Sequence, residues 1–535
     1  MKKIKLEYDY VVVGAGSSGC AVAGRLSEDS AITVCLLEAG PPDTSPYIHV
    51  PTGLIKLPNH KKLNWRFFSK SQKGLNSRSL FTPRGRTLGG SSSINGMVYI
   101  RGNRLDYDEW DDLGNHGWSW EDVKPFFLKS ENNEQFDNSF HGKGGPLNVT
   151  LPRFVSPLQR DFVSAAEALQ YQHNLDFNGE MQEGIGIHQM TQKNGRRWSS
   201  ARAYVYPALN RENFTVLTDA SVENIQIDGK RAVSVTLIDG RKISARKEII
   251  LSAGSLISPK ILMLSGIGDP LEIIPHGIQM KHNLTGVGKN LQDHMAAHIF
   301  ISTKSRRPWG FSWPTVPSYI FNAARYLLNQ KGWFSASFIE SGGFIKSKPD
   351  IERPDIQLVF MPVRRAAPPN WVEYGHGYSA TAVLLRPKSH GVVQLKSNNP
   401  IDSPIIDQRF FSQEEDLDTL LWGFKECRRI ANSSVFQKYE PSEVHPGNKI
   451  NSDDQLREYI RGSGTTIFHP VGTCKMGTDK NSVVDSRLCV HGINGLRIAD
   501  ASIMPRIIGG NTNAPSIMIG EKAAAMIKED AAKLS

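Results

Sequence analysis

The sequence has few cysteines, no long apolar run and no block of like charge, and each shortage removes a class of function. Its five cysteines, Cys20, Cys35, Cys427, Cys474 and Cys489, form neither a C-x-x-C pair nor an even framework. Neither a metal site nor a disulfide scaffold is expected from that spacing, and a reduced, cytoplasmic protein is. No stretch reaches the roughly eighteen uninterrupted apolar residues of a spanning helix, so any membrane contact is expected to be peripheral, on the cytoplasmic face. The start moves directly from basic residues into a strand and a glycine loop, without an apolar signal region, so secretion is not expected. A net charge of +10 suits anionic surfaces, but the 63 lysines and arginines are dispersed and no nucleic-acid motif accompanies them. What remains is a soluble, turn-rich globular chain of 535 residues, with 47 Gly and 30 Pro, long enough for two lobes.

The strongest local signal is near the amino terminus. Tyr8 to Val13 is a β-branched run that ends in Gly14-Ala15-Gly16-Ser17-Ser18-Gly19 and passes into a helical pattern. Gly14 permits the tight turn, Gly16 lets backbone N–H groups approach a pyrophosphate, and Gly19 allows close packing of helix on strand. The next strand, Ile32 to Leu37, ends in Glu38, placed to accept hydrogen bonds from an adenosine ribose. A structural glycine turn is the bland alternative, and the fingerprint alone does not choose between NAD and FAD. A second loop, Gly85 to Gly96, is rich in Gly and Ser and is suited to lay N–H donors along a large polar ligand; otherwise it is a flexible linker.

Three separated segments together resemble the glucose–methanol–choline (GMC) oxidoreductase family over essentially the whole chain. They are Gly85 to Asp106, Gly254 to Gly268, and a carboxy-terminal block running from Phe468-His469-Pro470 through Asp500-Ala501 to Asn511-Thr512-Asn513-Ala514-Pro515. Within the family, Gln192 to Arg202 and Gly288 to His294 resemble the choline dehydrogenase-like branch, which includes aliphatic and polyether alcohol dehydrogenases. The resemblance implies an α/β, Rossmann-type FAD-binding lobe interleaved with an α+β substrate lobe built on an antiparallel sheet. The expected division is 1–155, 200–298 and 466–535 for the first lobe, and 156–199 and 299–465 for the second. It further assigns FAD contacts to Gly14, Gly16, Ser17, Ser18, Gly19, Glu38, Ala39, Arg86, Leu88, Gly90 and Ser91. The remaining contacts fall on Asn95, Gly96, Met97, Val98, Val222, Ala253, Asp500, Ala501 and Thr512. Some relatives bind FAD covalently through a histidine where this chain has Ile94, which cannot form that bond, so dissociable FAD is expected.

Alcohol oxidation on a flavin needs a protein base for the hydroxyl proton. The resemblance assigns that role to His469, a histidine that by position alone is more often structural than catalytic; Pro470 biases it toward an extended backbone. The paired position is Asn511, whose amide is able to donate to the substrate oxygen as charge develops there. Asn513 is the competing candidate, though its place before Ala514-Pro515 suits a helix N-cap. Glu340 matches an acidic position near the substrate pocket of choline-oxidising relatives, with a structural role as the alternative.

Between Arg306 and Phe334 aromatic and basic residues alternate, which suits a membrane interface, a substrate channel or plain core. The reading that results is a primary-alcohol dehydrogenase acting on an aliphatic or polyether alcohol, with electrons passed to quinone or another carrier. Choline dehydrogenase and oxygen-using oxidase are alternatives, and an FAD-containing hydroxynitrile lyase is the alternative of another class.

Overall fold

The computed structural model describes residues 5–364 and 374–534. Its first sheet grows from the apolar run noted above. The strand Glu7–Val13 is exposed only at Glu7 and buried thereafter, as both faces of a central parallel strand must be. Val34–Leu37 and Lys242–Leu251 flank it in parallel, with Phe214–Leu217 beyond the first and Leu496–Ile498 beside the second. Arg231–Leu237 and Val222–Asp228 then extend the sheet as an antiparallel hairpin. Val11, Val12, Ile249, Ile250 and Leu251 are fully buried. At roughly 1.5–3 kcal/mol for each such side chain, they make this sheet a rigid base for the turn at its edge. Helix Ser17–Leu26 leaves that turn, and the closing helix Asn513–Leu534 packs along it.

The second sheet is antiparallel, in the order Pro441–His445, Met295–Thr303, Gly375–Leu384, Ile356–Met361, Ser341–Ile345 and Gly184–Ile187. Its side chains alternate as the two-residue period requires. Ile356, Leu358 and Phe360 join a core with helices Pro157–Ala168 and Glu414–Ala431, while Gln357, Val359 and Met361 turn to a cavity on the other side. The expected pairing of a Rossmann-type lobe with a lobe built on an antiparallel sheet is therefore what the chain forms. The lobes are also knit by crossing segments: Leu75 and Leu80 enter the second core, and Val393 and Ile406 pack with Phe67, Leu256 and Leu291.

Candidate active site

A cleft of about 620 Å³ opens at the carboxy-terminal edge of the parallel strands, lined by Gly14, Gly16, Ser17, Ser18, Glu38, Ala39, Arg86, Gly90, Ser91, Val222, Ala253, Asp500 and Ala501. Gly14 has φ +102°, and a Cβ there would lie 2.5 Å from the Ser252 carbonyl oxygen. Gly19 is not part of the lining; a Cβ on it would stand 1.9 Å from the Gly14 carbonyl, so its role is the close packing of helix under turn. The Glu38 carboxylate accepts from the N–H groups of Ala15 (3.1 Å) and Gly40 (2.9 Å), while its burial pushes its pKa up to about 7. Asp500 accepts from Gly254 N (2.8 Å), Ser258 Oγ (2.6 Å) and Ser502 N (2.7 Å), and so ties the second signature to the carboxy-terminal block. Leu88, expected at the cofactor, is buried in the first core and lines neither cavity.

The cleft fits a dinucleotide on its own chemistry. Ser18 Oγ, Ser255 Oγ and Arg86 Nε are buried at its walls with no partner among the described residues, and a buried polar group without a partner is costly unless a ligand supplies one. Together with the orphan N–H groups of the first helical turn, they present donors to an anionic ligand.

A second cavity of about 230 Å³ continues from the cleft, with Ser17, Arg84, Ser91 and Ser516 common to both. Asn95, Gly96, Met97, Val98 and Thr512 line it, as do His469, Asn511 and Asn513. Ile94 lies at its wall and packs with Ile48, Leu57 and Leu63. The expected N-cap is displaced by one residue: the helix starts at Asn513, whose Oδ1 accepts from Ser17 Oγ at 2.8 Å and joins the two glycine-flanked segments.

His469 and Asn511 meet as the sequence suggests, with Asn511 Nδ2 3.3 Å from His469 Nε2. The residue that orients them was not foreseen. His294 Nε2 lies 3.1 Å from the Leu385 carbonyl oxygen, and His294 Nδ1 lies 3.0 Å from His469 Nδ1. A carbonyl only accepts, so His294 carries its proton on Nε2. Burial drives its pKa down to about 3, so the ring is neutral and its Nδ1 is a bare acceptor. His469 must then donate from Nδ1, which leaves the lone pair of its Nε2 toward Asn511 and the cavity. Burial, with the Arg84 cation nearby, holds the His469 pKa well below the usual histidine value.

Strand pairing explains how residues so far apart in sequence converge. Met295–Ala296 pairs with Thr465–Thr466, and the Asp293 carboxylate accepts from the backbone N–H groups of both His294 (2.9 Å) and His469 (2.8 Å). Phe468 is held at φ +72°, with its N–H on Thr466 Oγ1 (2.8 Å) and its carbonyl on Arg84 Nη1 (2.8 Å). A left-handed phenylalanine is costly and persists only where its surroundings fix it; here it aims the following histidine. Sequence reasoning singled out the phrase Gly288 to His294 without giving His294 or Asp293 a role, and it missed Arg84 and Gln357 altogether.

Two of the open readings narrow. The geometry of Glu340 favours its structural alternative: the buried carboxylate accepts from Ser337 N (2.6 Å), Phe338 N (2.9 Å) and Gln159 Nε2 (2.7 Å), and it lines neither cavity. Its role is to close the turn before strand Ser341–Ile345. Nor does any residue of 306–334 line the two cavities. Trp309 packs inward with Phe338, Met361 and Val363, with Tyr319 and Trp333 against them, and much of the rest is exposed.

Comparison with known proteins agrees with this architecture. Residues 8–296 and 387–520 match the amino-terminal and carboxy-terminal GMC oxidoreductase family models. The chain is 45% identical to an alcohol dehydrogenase [acceptor] of Pseudomonas putida, over 98% of this chain and 97% of that protein. It is 41% identical to an oxygen-dependent choline dehydrogenase of Brucella anthropi, over 97% and 95%. Among solved structures, pyridoxine 4-oxidase from Mesorbium loti superposes with a TM-score of 0.88 at 29% identity, covering 98% of this chain and 99% of that one. Formate oxidase from Aspergillus oryzae, in work on FAD modification, gives a TM-score of 0.90 at 26% identity, covering 99% of each. The dinucleotide cleft, the histidine–asparagine cavity beside it and both family matches lead to one assignment: the chain belongs to the GMC oxidoreductase family of FAD flavoproteins.

Proposed function

We propose that this enzyme oxidises a neutral primary alcohol with an aliphatic body to the aldehyde, using dissociable FAD held in the cleft. The observation that carries the reading is the placement of His469 Nε2 3.3 Å from the Asn511 amide in a cavity continuous with that cleft. When bound, FAD supplies the acceptor for the carbon-bound hydride. His469 Nε2 takes the hydroxyl proton, Asn511 Nδ2 donates to the oxygen as negative charge develops on it, and the apolar walls exclude water. Gly14, Gly16, Ser17, Ser18 and Arg86 hold the diphosphate, and Glu38 the adenosine ribose. Ile94, which offers no nucleophile, supports dissociable binding.

A neutral alcohol is favoured over choline because no Asp or Glu lines the second cavity among the described residues. Arg84, by contrast, brings positive charge to it. A quaternary ammonium would be desolvated there without a counterion. Turnover with an artificial acceptor tests the reading: one aldehyde is expected per two electrons transferred. Cleavage of a cyanohydrin without electron transfer would instead select the lyase.

We further infer that electrons leave to a quinone at an anionic membrane surface on the cytoplasmic side, where the enzyme docks through helix Val316–Asn329. Ile320, Phe321, Leu327 and Leu328 are 65–84% exposed on one face, with Trp313 74% exposed beside them, whereas Asn322 and Tyr326 face inward. That is the reverse of a soluble amphipathic helix. Arg325 on the helix and Arg306, Arg307 and Lys331 in the segments that flank it in sequence are exposed, which suits anionic headgroups.

A further inference from the structure

The chemistry above uses one part of the second cavity and leaves polar groups elsewhere in its wall without work. His188 follows strand Gly184–Ile187 and is fully buried. Its Nδ1 lies 3.1 Å from the Ile339 carbonyl oxygen, so the proton sits on Nδ1 and Nε2 carries a lone pair. That Nε2 has no partner among the described residues. Gln357, 1% exposed on strand Ile356–Met361, donates from Nε2 to Asn511 Oδ1 at 3.4 Å, while its Oε1 also has no partner. Both residues line the cavity, and both belong to one face of the antiparallel sheet. Gln357 pairs with Phe344 and Val359 with Gly342, and the His188 ring covers Gly342, 2.8 Å from where a Cβ would stand.

We propose that the unpartnered acceptors His188 Nε2 and Gln357 Oε1 receive a second hydroxyl of the substrate, so that a diol is preferred over the simple alkanol of equal length. An alkyl chain leaves both buried acceptors without a donor, whereas a hydroxyl gives its one O–H to His188 Nε2 or to Gln357 Oε1. An ether oxygen only accepts, so it does not serve. An ammonium would donate, but among the described residues the cavity offers it no carboxylate. Burial holds the His188 pKa down to about 4, which keeps the ring an acceptor throughout the neutral range.

The inference rests on the alcohol-oxidising reading, and kcat/KM of the FAD-loaded enzyme for α,ω-diols and 1-alkanols of matched length tests it. A diol of one length is expected to be favoured tenfold or more, since a site built to bond a hydroxyl discriminates strongly against its absence. His188→Phe is expected to collapse that ratio toward one. Equal values for diols and alkanols at every length, measured on the unmodified enzyme, overturn the subsite alone, as does a preference that His188→Phe leaves unchanged. Failure to oxidise any alcohol, diols included, overturns the functional reading and the subsite with it.

Discussion

The protonation of one nitrogen decides the chemistry of this site, and it is settled by a carbonyl that the substrate never meets. Leu385 O fixes the His294 tautomer, His294 fixes that of His469, and His469 Nε2 is left as the base. Because the His469 pKa lies well below 6.5, the base is unprotonated at neutral pH and is lost only as pH falls through that lowered value. The expected kcat/KM profile is therefore flat through neutrality, with an acid limb below pH 6.5. A limb above pH 7 would mean that another group governs proton removal. The sequence made His469 and Asn511 legible because each sits inside a family signature, next to Pro470 or Gly509-Gly510. It did not reveal the orienting partner, since His294 and His469 are 175 residues apart and only strand pairing joins them. The two readings of Glu340 stayed open in the sequence for the converse reason: a matching phrase carries no information on which way a carboxylate turns.

Short elements with demanding backbone geometry were the most readable part of the fold, because turn chemistry is local. The strand, glycine turn and helix at residues 7–26 follow from residue type alone. The second glycine loop is as constrained: Gly90 has φ +53°, and a Cβ there would meet Gly16 Cα at 2.7 Å. Gly90→Ala is expected to push the two loops apart, weakening FAD retention about tenfold or more on gel filtration while leaving the fold intact by circular dichroism. Unchanged FAD content would show that the loops do not jointly hold the cofactor. The helix Val316–Asn329 was legible only as a mixture of aromatic and basic residues, because its periodicity does not say which face meets the protein. If its outer face meets lipid, Leu327→Ser with Leu328→Ser should abolish sedimentation with phosphatidylglycerol vesicles while turnover with a soluble acceptor persists. Equal sedimentation of parent and variant would rule out docking through this face.

At the scale of the molecule, the active cavity belongs to neither lobe. The parallel sheet supplies the nucleotide cleft, the antiparallel sheet supplies Gln357, Val359 and Met361, and the chain passes between the lobes several times to build the wall they share. Composition and periodicity indicate two lobes and a dinucleotide turn, but the interleaving was accessible only through resemblance, because contacts between distant segments leave no local pattern. The central claim, that this cavity removes a proton through His469 as hydride passes from an alcohol to bound flavin, is tested most directly by anaerobic stopped-flow mixing of the yellow enzyme with primary alcohols. Bleaching of the flavin absorbance is expected, slowed about 10²–10⁴-fold in His469→Ala, with dithionite reducing both proteins equally. Bleaching at an undiminished rate in the variant, or none in the parent enzyme with any alcohol, would contradict it.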